Sequence, residues 1–225
     1  AALLMLNSEG LPLRVVTGTA HPTSNFAIVS KPGTELSVRD LKGKQVVGPK
    51  GTFLHQLLAA ALEKEGMKES DVQFINTGIP KALSTILAGH ADAALVASSA
   101  LIKANKAGAK TIINAERLVE PTLVMTTTKQ FAEEHPDIVK RVDKVYAESL
   151  QWMKDHPAET AEMGAKEHGI SIEDAKTLME RSHYFDKMTT KDLEDLKVNQ
   201  KFLRDNGMMR NEVTVEELVL PVAME

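Results

Sequence analysis

In Gln45-Val-Val-Gly-Pro-Lys-Gly-Thr-Phe-Leu-His-Gln-Leu-Leu-Ala-Ala-Ala-Leu62 a short β-branched run meets a glycine-punctuated turn, and an amphipathic run begins at once. Gln45 to Gly48 reads as a strand. From Thr52 the apolar positions Leu54, Leu57, Leu58, Ala61 and Leu62 share one helical face until Gly66 stops the run. A helix that opens directly after a strand leaves its first backbone N–H groups, around Thr52 to Leu54, pointing into the space above the sheet edge, with a hydroxyl from Thr52 beside them. That is a ready cradle for an anion. The same residues also read as a well-capped helix with glycine for the turn. Two nucleotide motifs are excluded here: Gly43-Lys44 is followed by Gln45 and lacks the P-loop spacing and hydroxyl, and the three-glycine dinucleotide pattern is missing.

Outward from this segment the first two thirds of the chain alternate strands with amphipathic stretches, an α/β pattern. Leu13–Thr17 and Phe26–Ser30 read as strands separated by the polar turn Gly18–Ser24, and Ser37–Leu41 as a short helix headed by Ser37 and stopped by Gly43. Further on the expectation is strand Val72–Ile75, helix Pro80–Ala88, strand Ala93–Val96, helix Ser99–Lys106, strand Thr111–Asn114 and strand Thr122–Thr126. Such short connections favour a parallel or mixed sheet covered by helices. From Lys129 the texture turns helical. Pro136 opens a helix with Ile138, Val142, Tyr146, Leu150 and Met153 on one face, and Pro157 restarts it. Ser171 heads Ile172–Ser182, Thr189 or Thr190 heads Lys191–Asp205 with Gly207 closing it, and Thr214 heads a short helix in the tail.

With 225 residues, 43% hydrophobic and 26% charged, the chain fits one large domain or two small lobes, and two lobes are expected. A formal net charge of −4 with both signs interspersed offers no basic stripe for nucleic acid. No apolar run approaches the roughly 20 residues that span a bilayer, and no charged n-region precedes an h-region. The chain is therefore cytosolic, or exported with its signal removed. Cysteine is absent, which excludes disulfides, thiolate nucleophiles and Cys-ligated zinc.

No two of the seven histidines stand four residues apart, so no metal site is expected, and the reading includes no cofactor. His55, just inside the cradle helix, is the one histidine considered for ligand contact, with surface exposure as the plain alternative. No Gly-x-Ser-x-Gly elbow occurs, and Ser98-Ser99 lacks its glycines. Most carboxylates fall in solvated helical patterns, Asp92 being the exception beside the apolar strand Ala93–Val96. Trp152 and Tyr146 are expected to pack in the core. With no acid/base pair, nucleophile or metal constellation in the motif loops, the reading is a binding protein and not an enzyme.

Asp40-Leu-Lys-Gly-Lys-Gln-Val-Val-Gly-Pro-Lys-Gly-Thr52, Asp71-Val-Gln-Phe74, Lys81-Ala-Leu-Ser-Thr-Ile-Leu-Ala-Gly89 followed by Asp92-Ala-Ala94, and the Pro136 to Pro157 helix stand in an order that resembles the periplasmic-binding-protein-like family serving aliphatic sulfonate, taurine and nitrate importers, with thiamine-pyrimidine relatives. The likeness covers about Leu13 to Ser182. It implies a type II, two-lobed α/β fold with mixed or parallel sheets flanked by helices and a helical carboxyl-terminal part. Residues 1–31 with 127–225 would form one lobe, lacking the family's first βαβ unit, and residues 32–126 the other, with hinges near 30–33 and 121–126. A small anionic or polar solute would be held between the lobes and delivered to the membrane permease of an ABC importer. A periplasmic or extracytoplasmic setting, a signal peptide or lipoprotein anchor upstream, and a monomeric state follow by analogy. Enzymes of the pyrimidine-precursor or menaquinone-pathway type and ligand-sensing domains of regulators share the architecture and stand as alternatives.

Carried over residue by residue, the resemblance places Gly51, Thr52 and Phe53 at the anion-contacting helix start, Ile79 and Pro80 in the approaching loop, and Ser98 and Ser99 in the wall after the Asp-Ala strand. Thr23, in the His21–Ser24 turn, is a further candidate. Sulfonate binders tend to carry an aromatic residue near Val96–Ser99, and this chain has none there.

Overall fold

A computed structural model describes residues 1–225. In chain order its elements are α1 (Ala2–Ser8), β1 (Leu13–Ala20), β2 (Phe26–Ser30), β3 (Gln45–Gly48), α2 (Phe53–Lys64), β4 (Gln73–Asn76), α3 (Ile79–Leu87), β5 (Ala93–Ala97), α4 (Ser99–Lys106) and β6 (Thr111–Asn114). Then come β7 (Leu123–Thr128), α5 (Lys129–Glu134), α6 (Pro136–Asp155), α7 (Pro157–His168), α8 (Ile172–Glu180), α9 (Thr190–Asp205) and α10 (Val215–Leu218). No helix is long and apolar enough to cross a membrane.

The chain divides into two compact units, one of Ala1–His21, Pro121–Met163 and Ser182–Glu225, the other of Pro22–Glu120 and Gly164–Arg181. These bounds differ from the expected 1–31 with 127–225 and 32–126. The reason is hydrogen bonding: Phe26–Ser30 pairs along its length with Ala93–Ala97, and Leu123–Thr128 pairs with Leu13–Ala20. Ser30–Gly33 therefore lies inside the second unit, and Pro121–Thr126 inside the first.

The first unit is built on the antiparallel pair β1–β7. Leu3 and Leu4 of α1, Val15 of β1, Leu196 and Leu203 of α9, and Val215 and Leu218 of α10 form its main core. Helix α9 is held by a reciprocal cap: Thr189 Oγ1 accepts the Asp192 amide, and the Asp192 carboxylate accepts the Thr189 amide at 2.7 Å. Of the face expected on α6, Leu150 is buried, Val142 is exposed, and Ile138, Tyr146 and Met153 are half-buried. Val139 joins Val16 and Ala132 in a small cluster, and the buried Asp143 accepts from Lys187 Nζ at 2.8 Å, which turns the inward face by about one residue. Val142 and Trp152 are consequently exposed, and Trp152 stacks on His156 instead of entering the core.

The second unit carries a five-stranded mixed sheet in the order β4-β3-β5-β2-β6, with β3 parallel to β4 and β5, and β2 antiparallel to β5 and β6. Side chains alternate across it. Ala27, Val29, Val47, Ala94 and Val96 pack with Ala82 and Ile86 of α3 and Ala100, Leu101 and Ala104 of α4. The other face is covered by α2, whose Leu54, Leu57, Leu58, Ala61 and Leu62 are all buried. Asp92 ties three strands at the opposite end from their helices. Its carboxylate accepts the Gln45 amide at 3.1 Å and the Lys31 ammonium at 3.3 Å, and the Gln45 hydrogen bond first, then the Lys31 contact, hold its carboxyl below the usual range.

Candidate functional site

Because β4, β3 and β5 run parallel, their carboxyl ends, Asn76, Gly48 and Ala97, open on one rim of the sheet, and each leads within a few residues into a helix. Strand β2 runs the other way, so its first residue, Phe26, pairs with Ala97 at the same rim. The helix starts after parallel strands are where α/β sheets usually take ligands. This topology gathers every sequence-predicted site residue: Gly51, Thr52 and Phe53 after β3, Ile79 and Pro80 after β4, Ser98 and Ser99 after β5, and Thr23 in the 3-10 turn ahead of β2. None of these side chains is ionisable. Any preference for an anion at the rim comes from amide dipoles and hydroxyls.

The turn after β3 is held by specific partners. The Thr77 amide donates to Gly48 O at 2.9 Å and the Lys50 amide to Asn76 Oδ1 at 2.9 Å, which couples the turn to the end of β4. Gly51 has φ +71°, a left-handed conformation that costs a glycine little. Its amide donates to Nδ1 of His55 at 3.3 Å, so Gly51 supplies the turn and not a donor to the rim. Thr52 occupies the N-cap position of α2, yet its hydroxyl donates backward to Pro49 O at 2.9 Å and caps nothing. The amides of Thr52, Phe53 and Leu54 have no acceptor in the protein. A threonine at a helix start ordinarily satisfies one of these groups with its side chain.

The neighbouring part of the rim, after β5, is strained. Ser98, between β5 and α4, sits at φ 52°, ψ −126°, a combination that side chains other than glycine rarely adopt. Its amide donates to Asn25 O at 2.8 Å, and the buried Asn25 thus fixes the 3-10 turn of Thr23 against the β5–α4 junction. Phe26 and Phe53 meet edge to face, with centroids 4.9 Å apart, and join the start of β2 to the start of α2.

Three residues escape a reading of the sequence alone. Asn25 and Asn76 act through a main-chain carbonyl and a side-chain oxygen on neighbouring turns, which no local motif announces. His55, expected at the surface or in contact with a ligand, is instead 3% exposed, stacks on Phe74 (4.9 Å, 5°) and lies 2.8 Å from Glu69 Oε2. His21, in the turn that also holds Thr23, belongs to the first unit. Its ring stacks on Phe185 at 4.3 Å, with Nδ1 3.1 Å from Pro121 O and Nε2 3.0 Å from Asp192 Oδ1.

The family model described as NMT1/THI5 like matches residues 1–160. The taurine-binding periplasmic protein of Escherichia coli strain K12 is 30% identical over 158 residues, which is 64% of this chain and 49% of that protein. The chain spans about half the length of the curated relatives it matches. Among solved structures, the alkanesulfonate-binding protein SsuA of Xanthomonas axonopodis pv. citri bound to MOPS superposes with a TM-score of 0.85 at 17% identity, over 96% of this chain and 76% of that one. The desulfurization enzyme DSZB superposes with a TM-score of 0.73 at 14% identity, over 96% of this chain and 80% of that one. At these identities the two structures speak for the fold, a mixed α/β architecture shared by binders and an enzyme.

Proposed function

Since the chain belongs to the NMT1/THI5-like family, we propose that it is a solute-binding protein that captures a small organic anion of the sulfonate kind and releases it to the permease of an ABC importer outside the cytoplasm. The observation that carries this reading is the helix start of α2, where the amides of Thr52, Phe53 and Leu54 have no protein acceptor and the Thr52 hydroxyl is turned away from them. Three adjacent N–H groups at a helix N-terminus, where the positive end of the macrodipole adds to them, suit the oxygens of a sulfonate head. Ser98 and Ser99, after the adjacent strand β5, would add hydroxyl donors, and Phe53, Ile79 and Pro80 would offer apolar surface to a short carbon chain. One exposed helix start favours an anion by only about 0.3–1 kcal/mol, so useful affinity requires several such donors acting together out of water. The taurine-binding relative supports this substrate class.

The reading is of binding without chemistry. No pair of titratable groups stands among the predicted site residues to move a proton, whereas turnover needs such groups within reach of the reacting atoms. Calorimetric titration with taurine, short alkanesulfonates, nitrate, pyrimidines and aromatic carboxylates, with chromatography of the recovered ligand, tests it. Saturable sulfonate binding with the ligand recovered intact is expected. Consumption of any ligand would move the chain to the enzyme side of the fold.

A further inference from the structure

His55 is the third residue of α2, and helical side chains lean toward the N-terminus, so its ring points back at the turn that precedes the helix. Nδ1 lies 3.3 Å from the Gly51 nitrogen, a backbone N–H that can only donate. Nδ1 must then be the unprotonated, accepting nitrogen. The proton sits on Nε2, which faces a carboxylate oxygen of Glu69 at 2.8 Å, an acceptor in the 3-10 turn ahead of β4. The two hydrogen-bonding partners thus assign a single tautomer, Nδ1 accepting and Nε2 carrying the proton. Phe74 of β4, stacked at 4.9 Å and 5°, fixes the plane of the ring, and burial to 3% exposure leaves it no room to turn over.

The consequence reaches the rim. Gly51 at φ +71° has a wide choice of conformations, and its amide is the turn donor that directly precedes the open amides of Thr52, Phe53 and Leu54. We propose that His55, as the Nε2–H tautomer held by Glu69, is the positioning residue of the anion rim: it withdraws the Gly51 amide from the donor set and fixes the turn so that a solute oxyanion meets the amides of Thr52, Phe53 and Leu54. His55 touches no solute in this account. It acts through Gly51. The proposal rests on the solute-binding reading given above for its ligand side, while the tautomer and the Gly51 contact stand apart from it.

Nitrogen-15 NMR of the ligand-free protein, with variants His55→Asn and His55→Leu, tests both parts. The asparagine variant would keep an oxygen where Nδ1 now lies, and the leucine variant would keep volume without an acceptor. The expected spectrum shows a bare Nδ1 and a protonated Nε2 in the wild type, and a Gly51 amide proton that stays near its wild-type shift in His55→Asn but moves upfield in His55→Leu. Titration with taurine or methanesulfonate should then show affinity within about threefold of wild type for His55→Asn, and weaker by about tenfold or more for His55→Leu, as loss of one positioned hydrogen bond implies. A thermal midpoint recorded for each variant separates general loosening from this pattern. A protonated Nδ1, a Gly51 amide indifferent to both substitutions, or equal affinity in both variants would overturn the proposal. Should the wild type bind no sulfonate, the solute reading falls, and the Nδ1 and Gly51 signals still decide the positioning role by themselves.

Discussion

Gly48 lies so close against Leu95 that a Cβ placed on it would come 2.5 Å from the Leu95 Cβ. The two face each other across β3 and β5 where β3 ends and the site turn begins. Gly48→Ala is therefore expected to force these strands apart and to cost roughly 1–3 kcal/mol, the usual penalty of overpacking a closed core. A lower urea midpoint with an unchanged slope would register it. A midpoint equal to wild type would show that Leu95 can move aside freely.

Ser98 holds a backbone conformation whose cost is on the order of 1–3 kcal/mol for a residue with a side chain. Glycine at this position removes the strain and adds roughly 0.5–1 kcal/mol of unfolded-chain entropy, so Ser98→Gly should leave stability level or raise it by about 1 kcal/mol. Its sulfonate affinity should fall, because the hydroxyl is lost from the rim. Thermal unfolding and calorimetry on the same sample check the two arms. A variant both less stable and equally tight in binding would contradict the assigned role.

Tyr146 donates to Thr19 O at 3.0 Å, and burial, with smaller contributions from Tyr184 and Asp186, pushes its phenol up to about 12. The folded chain then holds this proton more tightly than the unfolded chain, whose phenol ionises near 10. The associated stability is complete below about pH 10 and is lost progressively as pH rises toward 12. Tyr146→Phe should be less stable near neutrality, through the lost hydrogen bond, and should decline less steeply over the alkaline window. Urea midpoints across that window measure the difference in slope.

The sheet of the second unit is legible in the sequence because its signals are local. β-Branched runs, glycine stops and a helical apolar face coincide from Gln45 to Leu62, and Phe26–Ser30, Ser99–Lys106 and Thr111–Asn114 match their predicted bounds. The positions of the proposed site residues are local as well, each lying in a turn or helix start next to a strand. The bonding within the rim is not. Whether Thr52 caps its own helix or turns back to Pro49, and whether Gly51 donates to a solute or to His55, depends on side chains brought in from β4 and the turn ahead of it. The unit boundaries differ from expectation for a related reason: strand pairing between segments distant in sequence, such as Phe26 with Ala97, leaves no mark in either segment alone. On α6 the apolar period alone favours Val142, and the pairing of Asp143 with Lys187 decides the face.

The central claim, that an oxyanion is taken by the open amides of α2, is tested most directly by amide chemical shifts recorded during titration with taurine or methanesulfonate. The account predicts saturable downfield movement of the Thr52, Phe53 and Leu54 amide protons, with Gly51 nearly still because its proton already lies on His55. Saturable shifts that leave these three amides unmoved would contradict it.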